Sequence, residues 1–147
     1  MKKWLVVLAA VAIGGSVVAG EGWMTDFEKA KAAAKEQDKH ILIDFSGSDW
    51  CGWCIKLDDE VFQKAAFKDY AKDNLVLMLA DFPSDKSKVS AEVQKQNDKL
   101  AKEFGVSGFP TVFVLGPDGK IVGKTGYQAG GPEAYVEHIK KIIADAK

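Results

Sequence analysis

The sequence contains no arginine, only two cysteines and only two histidines. All 20 basic residues are lysines, so the chain lacks the planar fork that most often clamps phosphate groups, and phosphoryl-transfer chemistry is disfavoured. The lysines are matched by 21 acidic residues, and the net charge of -1 provides no basic field for a phosphate backbone. We therefore expect no nucleic acid partner.

The sequence also lacks an apolar run long enough to span a bilayer. The most apolar stretch, Trp4 to Ile13, follows two lysines and is cut short by residues 14–16 before it reaches the roughly 20 residues that a spanning helix needs. Small residues follow, which is the layout of a secretory signal peptide cleaved after Ala19 or Gly20. We expect a signal peptide over residues 1–20, no stable membrane insertion after cleavage, and a periplasmic or secreted protein.

Residues 21–147 are enough for one globular domain with a single core. Hydrophobic periodicity predicts alternating helices and strands. The predicted helices cover residues 25–38, from a capping box of Thr25 and Glu28, residues 51–72 with a kink, residues 90–104, and a terminal segment that Pro132 opens. The predicted strands cover residues 40–45, 75–80, 111–115 and 121–124, the last two as a hairpin, and residues 81–89 form a surface loop.

The two cysteines lie directly after the first predicted strand, at the start of a predicted helix. The positive end of a helix stabilises a thiolate and lowers its pKa below the free value of about 8.5, which makes Cys51 the candidate nucleophile. Cys54 lies one turn further on, on the apolar face, and is expected to be shielded from solvent. It can attack a mixed disulfide on Cys51, so the pair is predicted to be redox-active.

Other uses of two cysteines are disfavoured. A disulfide closing a loop of about 4 residues restricts the unfolded chain by only roughly 2 kcal/mol, so it would be a poor structural link. A zinc site normally has four ligands, and only His40 and His138 could add to the cysteines. Covalent haem attachment would need a histidine where Ile55 stands. We expect neither a metal nor an organic cofactor.

Several short motifs stand out around the cysteines and later in the chain. They are Asp44-Phe45, Trp50-Cys51-Gly52-Trp53-Cys54, Gly108-Phe109-Pro110-Thr111 and Gly126. Together they resemble the thioredoxin family. The segment that reads Ser-Asp-Trp-Cys-x-x-Cys is most similar to secreted bacterial thioredoxin-like domain proteins, over roughly residues 25–145. The resemblance implies a single α/β domain with the thioredoxin fold, in which helices flank a central mixed sheet, and thiol-disulfide exchange. It also implies a cis peptide bond before Pro110, beside the cysteines.

The chain departs from the best-known thioredoxins at four places. The link Ser46–Trp50 is one residue longer than usual, and Gly52-Trp53 stands where Gly-Pro is common. The predicted strand over residues 75–80 lacks the lysine often found near the buried acid. The insertion from Asp81 to about Asp98 has no obvious family role.

Asp44 interrupts an apolar run, and a buried carboxyl group without a cation has a raised pKa. The family assigns the matching aspartate to the transfer of the second cysteine's proton, so Asp44 is a candidate catalytic residue beside Cys51 and Cys54. The alternative is a carboxylate that faces water at the strand end.

Aromatic residues around the cysteines predict an apolar docking groove for substrate. Trp50 and Trp53 are expected to flank it together with Phe109, while Gly52 and Pro110 complete the candidate substrate-binding set. The alternative is ordinary packing, which is favoured more for Trp50 than for Trp53.

The predicted function is an exported thiol-disulfide oxidoreductase that acts on protein or peptide disulfides, as a reductase or isomerase, with a partner protein restoring its dithiol. Gly52-Trp53 provides no cation for the Cys51 thiolate, and Lys56 lies off its helix face. We therefore expect a potential between roughly -270 and -180 mV. The alternatives are a peptide-binding module with little turnover, a two-thiolate metal carrier, and a strongly oxidising disulfide donor.

Overall fold

The computed structural model describes residues 22–147. The predicted signal peptide, residues 1–20, lies outside the described residues. No helix within residues 22–147 has the length and apolar character needed to cross a membrane.

A five-stranded mixed sheet forms the centre of the domain, in the order β1-β3-β2-β4-β5. The strands are β1 (Trp23–Met24), β2 (His40–Ser46), β3 (Leu75–Asp81), β4 (Thr111–Leu115) and β5 (Ile121–Thr125). The first three run parallel, while β4 is antiparallel to both β2 and β5. The predicted mixed sheet and its hairpin are confirmed.

In the part of the chain that the structure describes, five α-helices cover the two faces of this sheet. They are α1 (Phe27–Gln37), α2 (Gly52–Leu57), α3 (Ala65–Asn74), α4 (Ala91–Glu103) and α5 (Gly131–Asp145). Side chains of α1 and α4 pack in one core cluster, and those of α2, α3 and α5 pack in the other. The predicted α/β domain with flanking helices, the thioredoxin fold, is therefore the observed one.

The central strand β2 determines where the functional residues lie. Because successive side chains of a strand point to opposite faces, Ile41, Ile43 and Phe45 join the core under α1 and α4. Leu42 joins the opposite core. Asp44 lies two residues further along the strand, so its side chain points to the same face as Leu42. The carboxyl group is thus directed to the face that carries the cysteine helix.

The predicted start of α1 is wrong. The N-cap is Asp26, whose carboxylate accepts a hydrogen bond of 3.0 Å from the backbone N–H of Lys29, and the helix begins at Phe27. Thr25 and Glu28 therefore do not form the capping box. Aspartate and threonine both make good N-caps, and two adjacent candidates cannot be separated by residue type. The two-residue strand β1 is too short for a periodic signal and was not predicted.

The predicted kink after the cysteine helix is confirmed and has a definite form. Beyond Leu57 the chain makes a wider π-helical turn over Asp58–Phe62, and Lys64 is extended before α3 begins. The side-chain amide of Gln63 donates to the Asp58 carboxylate across 3.0 Å. The turn places the buried ring of Phe62 in the core beside Tyr135 of α5.

Candidate active site

A disulfide joins Cys51 and Cys54 at the edge of the sheet where β2 ends. Cys51 is the N-cap of α2, and its sulfur accepts a hydrogen bond of 3.2 Å from the backbone N–H of Cys54. Its carbonyl accepts the N–H of Ile55 at 3.0 Å. The pair thus lies in the first turn of a helix, where the exposed N–H groups favour a thiolate.

The expected contrast in exposure between the two cysteines is small in this oxidised form. Cys51 is 7% exposed and Cys54 is 3% exposed. In the disulfide the Cys51 sulfur lies against the first turn of α2, where it accepts the backbone N–H of Cys54. A clear difference in accessibility would have to arise in the dithiol.

Asp44 lies in the interior rather than facing water at a strand end. It is 5% exposed, and its Oδ1 has no hydrogen-bond partner within residues 22–147. Burial disfavours the charged form, and the nearby carboxylates of Asp58 and Asp81 repel it, so the pKa of Asp44 is raised to about 8. This carboxyl group can therefore exchange a proton near neutral pH.

A cavity connects the buried carboxyl group with the second cysteine. It has a volume of about 270 Å³, and both Asp44 and Cys54 contribute to its lining. Ser46 and Asp58 add polar groups to the same wall. A cavity of this size with several polar groups in its lining has room for water, which would link the carboxyl group to the Cys54 sulfur.

The segment before β4 reaches the same edge of the sheet. Phe45 pairs with Thr111, which sets Pro110 beside the end of β2. The Phe109–Pro110 peptide bond is cis, as the family resemblance implies. The Thr111 hydroxyl donates to the carbonyl of Gly108 at 2.7 Å and closes this loop on itself.

Trp50 forms an exposed wall on one side of the disulfide. Its side chain is 52% exposed, so it is not a core residue. The indole N–H donates to the carbonyl of Phe82 at 2.7 Å, and the ring stands edge-on to Phe109 with 5.8 Å between centroids. Phe82 and Phe109 are in contact as well, at 5.2 Å. These three rings form a continuous apolar surface.

Trp53 forms a second wall with a residue that sequence reasoning missed. It is 57% exposed and packs on Tyr127 with 5.0 Å between ring centroids. The Lys56 ammonium lies 4.9 Å and 5.3 Å from the two ring centres, and the Tyr127 hydroxyl donates to the Glu60 carboxylate. Gly52 is exposed at the first residue of α2. An aromatic residue directly after the motif glycine was the available signal for Tyr127.

A second missed residue, Tyr135, supports the loop that faces the cis proline. Its hydroxyl donates to the carbonyl of Gly126 across 3.0 Å, and Gly126 lies against the backbone of Pro110. Burial and the nearby Asp44 both raise the pKa of Tyr135, which keeps its hydroxyl neutral. The apolar face of α5 contained Tyr135, but a single hydroxyl on such a face gives no sign of its partner.

The two histidines lie at different ends of the sheet. His40 begins β2, at the end of the strand opposite to the disulfide, and the His138 ring is hydrogen-bonded to the Thr125 hydroxyl at 2.8 Å. Within residues 22–147, no group of three or more histidine, cysteine, aspartate or glutamate side chains converges as a metal site.

The geometry agrees with comparisons of the whole chain. Residues 27–143 match the family described as a thioredoxin-like domain. The chain belongs to this family. This thioredoxin-like protein is 34% identical over 117 residues to the disulfide bond reductase DsbH of Chlamydia pneumoniae, which covers 80% of the chain and 70% of the relative. A solved structure of a DsbH oxidoreductase matches with a TM-score of 0.79 and 33% identity, over 86% of this chain and 87% of the other.

Longer relatives contain a domain of the same kind. The thioredoxin-like protein is 36% identical over 104 residues to a protein disulfide-isomerase of Datisca glomerata, covering 69% of this chain but 18% of that one. It spans 30% of the thioredoxin-related protein DsbJ of Chlamydia pneumoniae. The cysteine pair, the fold and these relatives establish the thioredoxin-like protein as a thiol-disulfide oxidoreductase.

Proposed function

We propose that this oxidoreductase is an exported reductase of protein disulfides. The observation that carries the proposal is a cysteine pair at a helix start with exposed aromatic walls on both sides, formed by Trp50 and by Trp53. Small disulfides have no need of such walls, whereas a polypeptide can bury apolar side chains against them. The similarity to a protein named disulfide bond reductase supports the same direction.

The reaction has two exchange steps. In the reduced protein the Cys51 thiolate attacks one sulfur of the substrate disulfide, and the other substrate sulfur leaves as a thiolate that takes up a proton. Cys54 then loses its proton and attacks the Cys51 sulfur, which releases the second substrate thiolate and forms the disulfide of this structure. The substrate gains two electrons and the cysteine pair loses two, so a dithiol partner protein has to reduce the pair again.

Asp44 takes the proton from Cys54 in the second step of the proposed cycle. The carboxyl group and Cys54 line the same cavity, so a water molecule there can carry the proton between them. A carboxyl group whose pKa is raised to about 8 is a base of suitable strength near neutral pH. Its unpartnered Oδ1 leaves an acceptor free for this role.

The surroundings of Cys51 support a reducing potential. The N-terminal turn of α2 stabilises its thiolate, and Lys56 is occupied by the rings of Trp53 and Tyr127 and by Glu60 at 3.8 Å. Strong oxidants of this class depend on an unusually stabilised thiolate. The potential of those oxidants is about -120 mV. Because the Cys51 thiolate is stabilised mainly by the helix turn, we place the potential of this protein between roughly -270 and -180 mV.

Export is proposed from the signal-peptide layout of residues 1–20. An oxidising compartment is also where a reductase would meet protein disulfides. N-terminal sequencing of the exported protein should give Gly20 or Glu21 as the first residue.

The decisive experiment compares two serine variants in the reduction of insulin by the purified mature protein. Cys51→Ser should abolish turnover, while Cys54→Ser should accumulate mixed disulfides between Cys51 and its clients, because no other thiol can resolve them. Peptide binding that survives Cys51→Ser, together with an absence of insulin reduction by the unmodified protein, would make the chain a binding module. Stoichiometric metal after reducing purification would indicate a metal carrier.

A further inference from the structure

Asp49, two residues before Cys51, is bound across the surface to the insertion that follows β3. Its Oδ1 accepts the backbone N–H of Ser84 at 2.8 Å, and its Oδ2 accepts that of Asp85 at 3.1 Å. The Lys88 ammonium lies 3.4 Å from Oδ2. The two backbone donors, with the cation, lower the pKa of Asp49 to about 2, so its carboxylate stays ionised throughout the working pH range.

A second set of hydrogen bonds joins the same two segments, which are the link over residues 46–50 and the insertion after β3. In this set the carboxylate belongs to the insertion. The Asp81 carboxylate accepts the backbone N–H of Ser48 at 3.0 Å and its hydroxyl at 2.6 Å. The Phe82 N–H donates to the carbonyl of Ser46 at 2.8 Å, and the Phe82 carbonyl accepts the Trp50 indole N–H. Each segment therefore supplies a carboxylate that binds the other one.

These bonds hold the insertion against the aromatic wall beside the disulfide. Phe82, the first residue after β3, is half-buried between this connection and the ring of Phe109. Pro83 is buried next to it. The Trp50 ring lies so close over Gly47 that a methyl group there would fall inside its van der Waals surface. The position of the indole thus depends on both segments.

We propose that Asp49 is a positioning residue that fixes residues 81–89 as one wall of the protein-substrate site, where an extended apolar segment of the substrate polypeptide packs on Trp50, Phe82 and Phe109. The proposal rests on the proposed function and gives the insertion a role. Asp49 touches no reacting atom. Its two carboxylate oxygens act by holding the backbone of Ser84 and Asp85 and the Lys88 ammonium.

The proposal separates two kinds of substrate. A polypeptide reaches the wall, whereas oxidised glutathione needs only the cysteines. Loss of the wall should therefore raise KM for a protein disulfide while kcat, and all constants for the small disulfide, stay close to those of the unmodified protein.

The experiment compares Asp49→Ala and Asp49→Asn with a matched control, Asp118→Asn. Asp118 also accepts a backbone N–H, that of Lys120 at 3.0 Å, but in the β4–β5 turn at the opposite end of the sheet. We expect Asp49→Ala to raise KM for insulin about tenfold, and Asp49→Asn to raise it less because one acceptor oxygen remains. Both should stay within about twofold of the unmodified protein with oxidised glutathione, as the control should with either substrate.

Gly47→Ala is a second variant that displaces the indole while leaving the carboxylate intact. It should reproduce the rise in KM for insulin. Binding is measured separately with the carboxymethylated insulin B chain, which has neither thiol nor disulfide. Its Kd should rise about tenfold in Asp49→Ala and in Gly47→Ala.

The outcomes distinguish this proposal from the proposed function. An equal loss of activity with insulin and with oxidised glutathione would mean that Asp49 only supports the cysteine turn. Unchanged kinetic constants with both substrates would mean that residues 81–89 are not part of the substrate site. Either result overturns the proposal. If the unmodified protein fails to reduce insulin while the variants still weaken B-chain binding, the result supports the role of the wall and contradicts the reductase function.

Discussion

Asp44 is a single residue that lowers the stability of the fold it occupies. Burying a carboxyl group with an unpartnered oxygen has a free-energy cost that an apolar side chain would avoid. The position is otherwise suited to a hydrophobic residue, since its neighbours Ile43 and Phe45 are fully buried. A residue kept against its own stability cost at a cavity shared with Cys54 is a strong candidate for chemistry.

Replacing Asp44 should affect the second exchange step selectively. Asp44→Asn removes the proposed proton acceptor of Cys54, so resolution of a mixed disulfide on Cys51 should slow about a hundredfold while the first attack is unchanged. Rapid-quench kinetics with a chromogenic disulfide resolve the two steps.

The matched control for this variant is Asp58→Asn. It keeps the buried carboxyl group but removes a charge that raises the pKa of Asp44, so the pH midpoint of resolution should move down while the plateau rate is kept. Equal slowing of both steps in Asp44→Asn would leave Asp44 without a catalytic role.

At the scale of elements, the Tyr135 hydroxyl connects α5 to the loop after β5 that faces the cis proline. Tyr135→Phe removes the hydrogen bond to the Gly126 carbonyl and leaves a backbone acceptor unpaired, which should lower the free energy of unfolding by about 1–2 kcal/mol. Urea unfolding measures the change. Tyr70→Phe on α3 is the control, because that variant leaves the loop untouched, and an equal loss in both variants would contradict the structural role of the Gly126 bond.

The elements that sequence predicted are those with strong local signals. The apolar run that Asp44 interrupts and the helix that begins after Cys51 follow from residues close together in the chain. The cis bond at Pro110 came from family resemblance alone, because a proline by itself favours trans.

The elements that sequence missed depend on contacts between distant residues. The insertion is held by bonds between residues 32 to 36 positions apart, such as those from Trp50 to Phe82 and from Asp85 to Asp49. No periodicity in one segment reports such pairing. The partner of Tyr127 was hidden for the same reason, since Glu60 lies 67 positions away. The partner of Tyr135 lies only 9 positions away, but it is a backbone carbonyl, which no residue type indicates.

At the scale of the whole molecule, the buried carboxyl group makes stability depend on pH. The pKa of Asp44 is about 8 in the folded protein and close to 3.8 when unfolded, so unfolding releases a proton between these values. Stability attributable to Asp44 is full below about pH 4 and falls as pH rises to about 8, by about 1.4 kcal/mol for each pH unit.

The difference between the unmodified protein and Asp44→Asn isolates this contribution. Asp44→Asn should be more stable at pH 7, and the difference should shrink as the pH approaches 4. Urea unfolding at several pH values between 4 and 8 provides the test. A difference that does not vary with pH would mean that Asp44 titrates alike in the folded and unfolded chains.

The redox potential is a property of the whole molecule that decides its direction. Equilibration of the mature protein with glutathione buffers, followed by acid quenching, alkylation and mass analysis of Cys51 and Cys54, should give a value between roughly -270 and -180 mV. Within that range a protein in an oxidising compartment works as a reductase or isomerase. A value near about -120 mV would make it a donor of disulfides.

The short strand β1 has a consequence for how molecules of this protein meet one another. It pairs with β3 only opposite Leu77–Met78, and an uncovered strand edge is a template for pairing with another chain. Here the edge is closed at both ends, because the Leu75 N–H caps α3 and the Asn97 amide donates to the Asp81 carbonyl at 3.1 Å. The stretches of β3 left open beside β1 are therefore short, which makes them a poor template for strand addition by another chain.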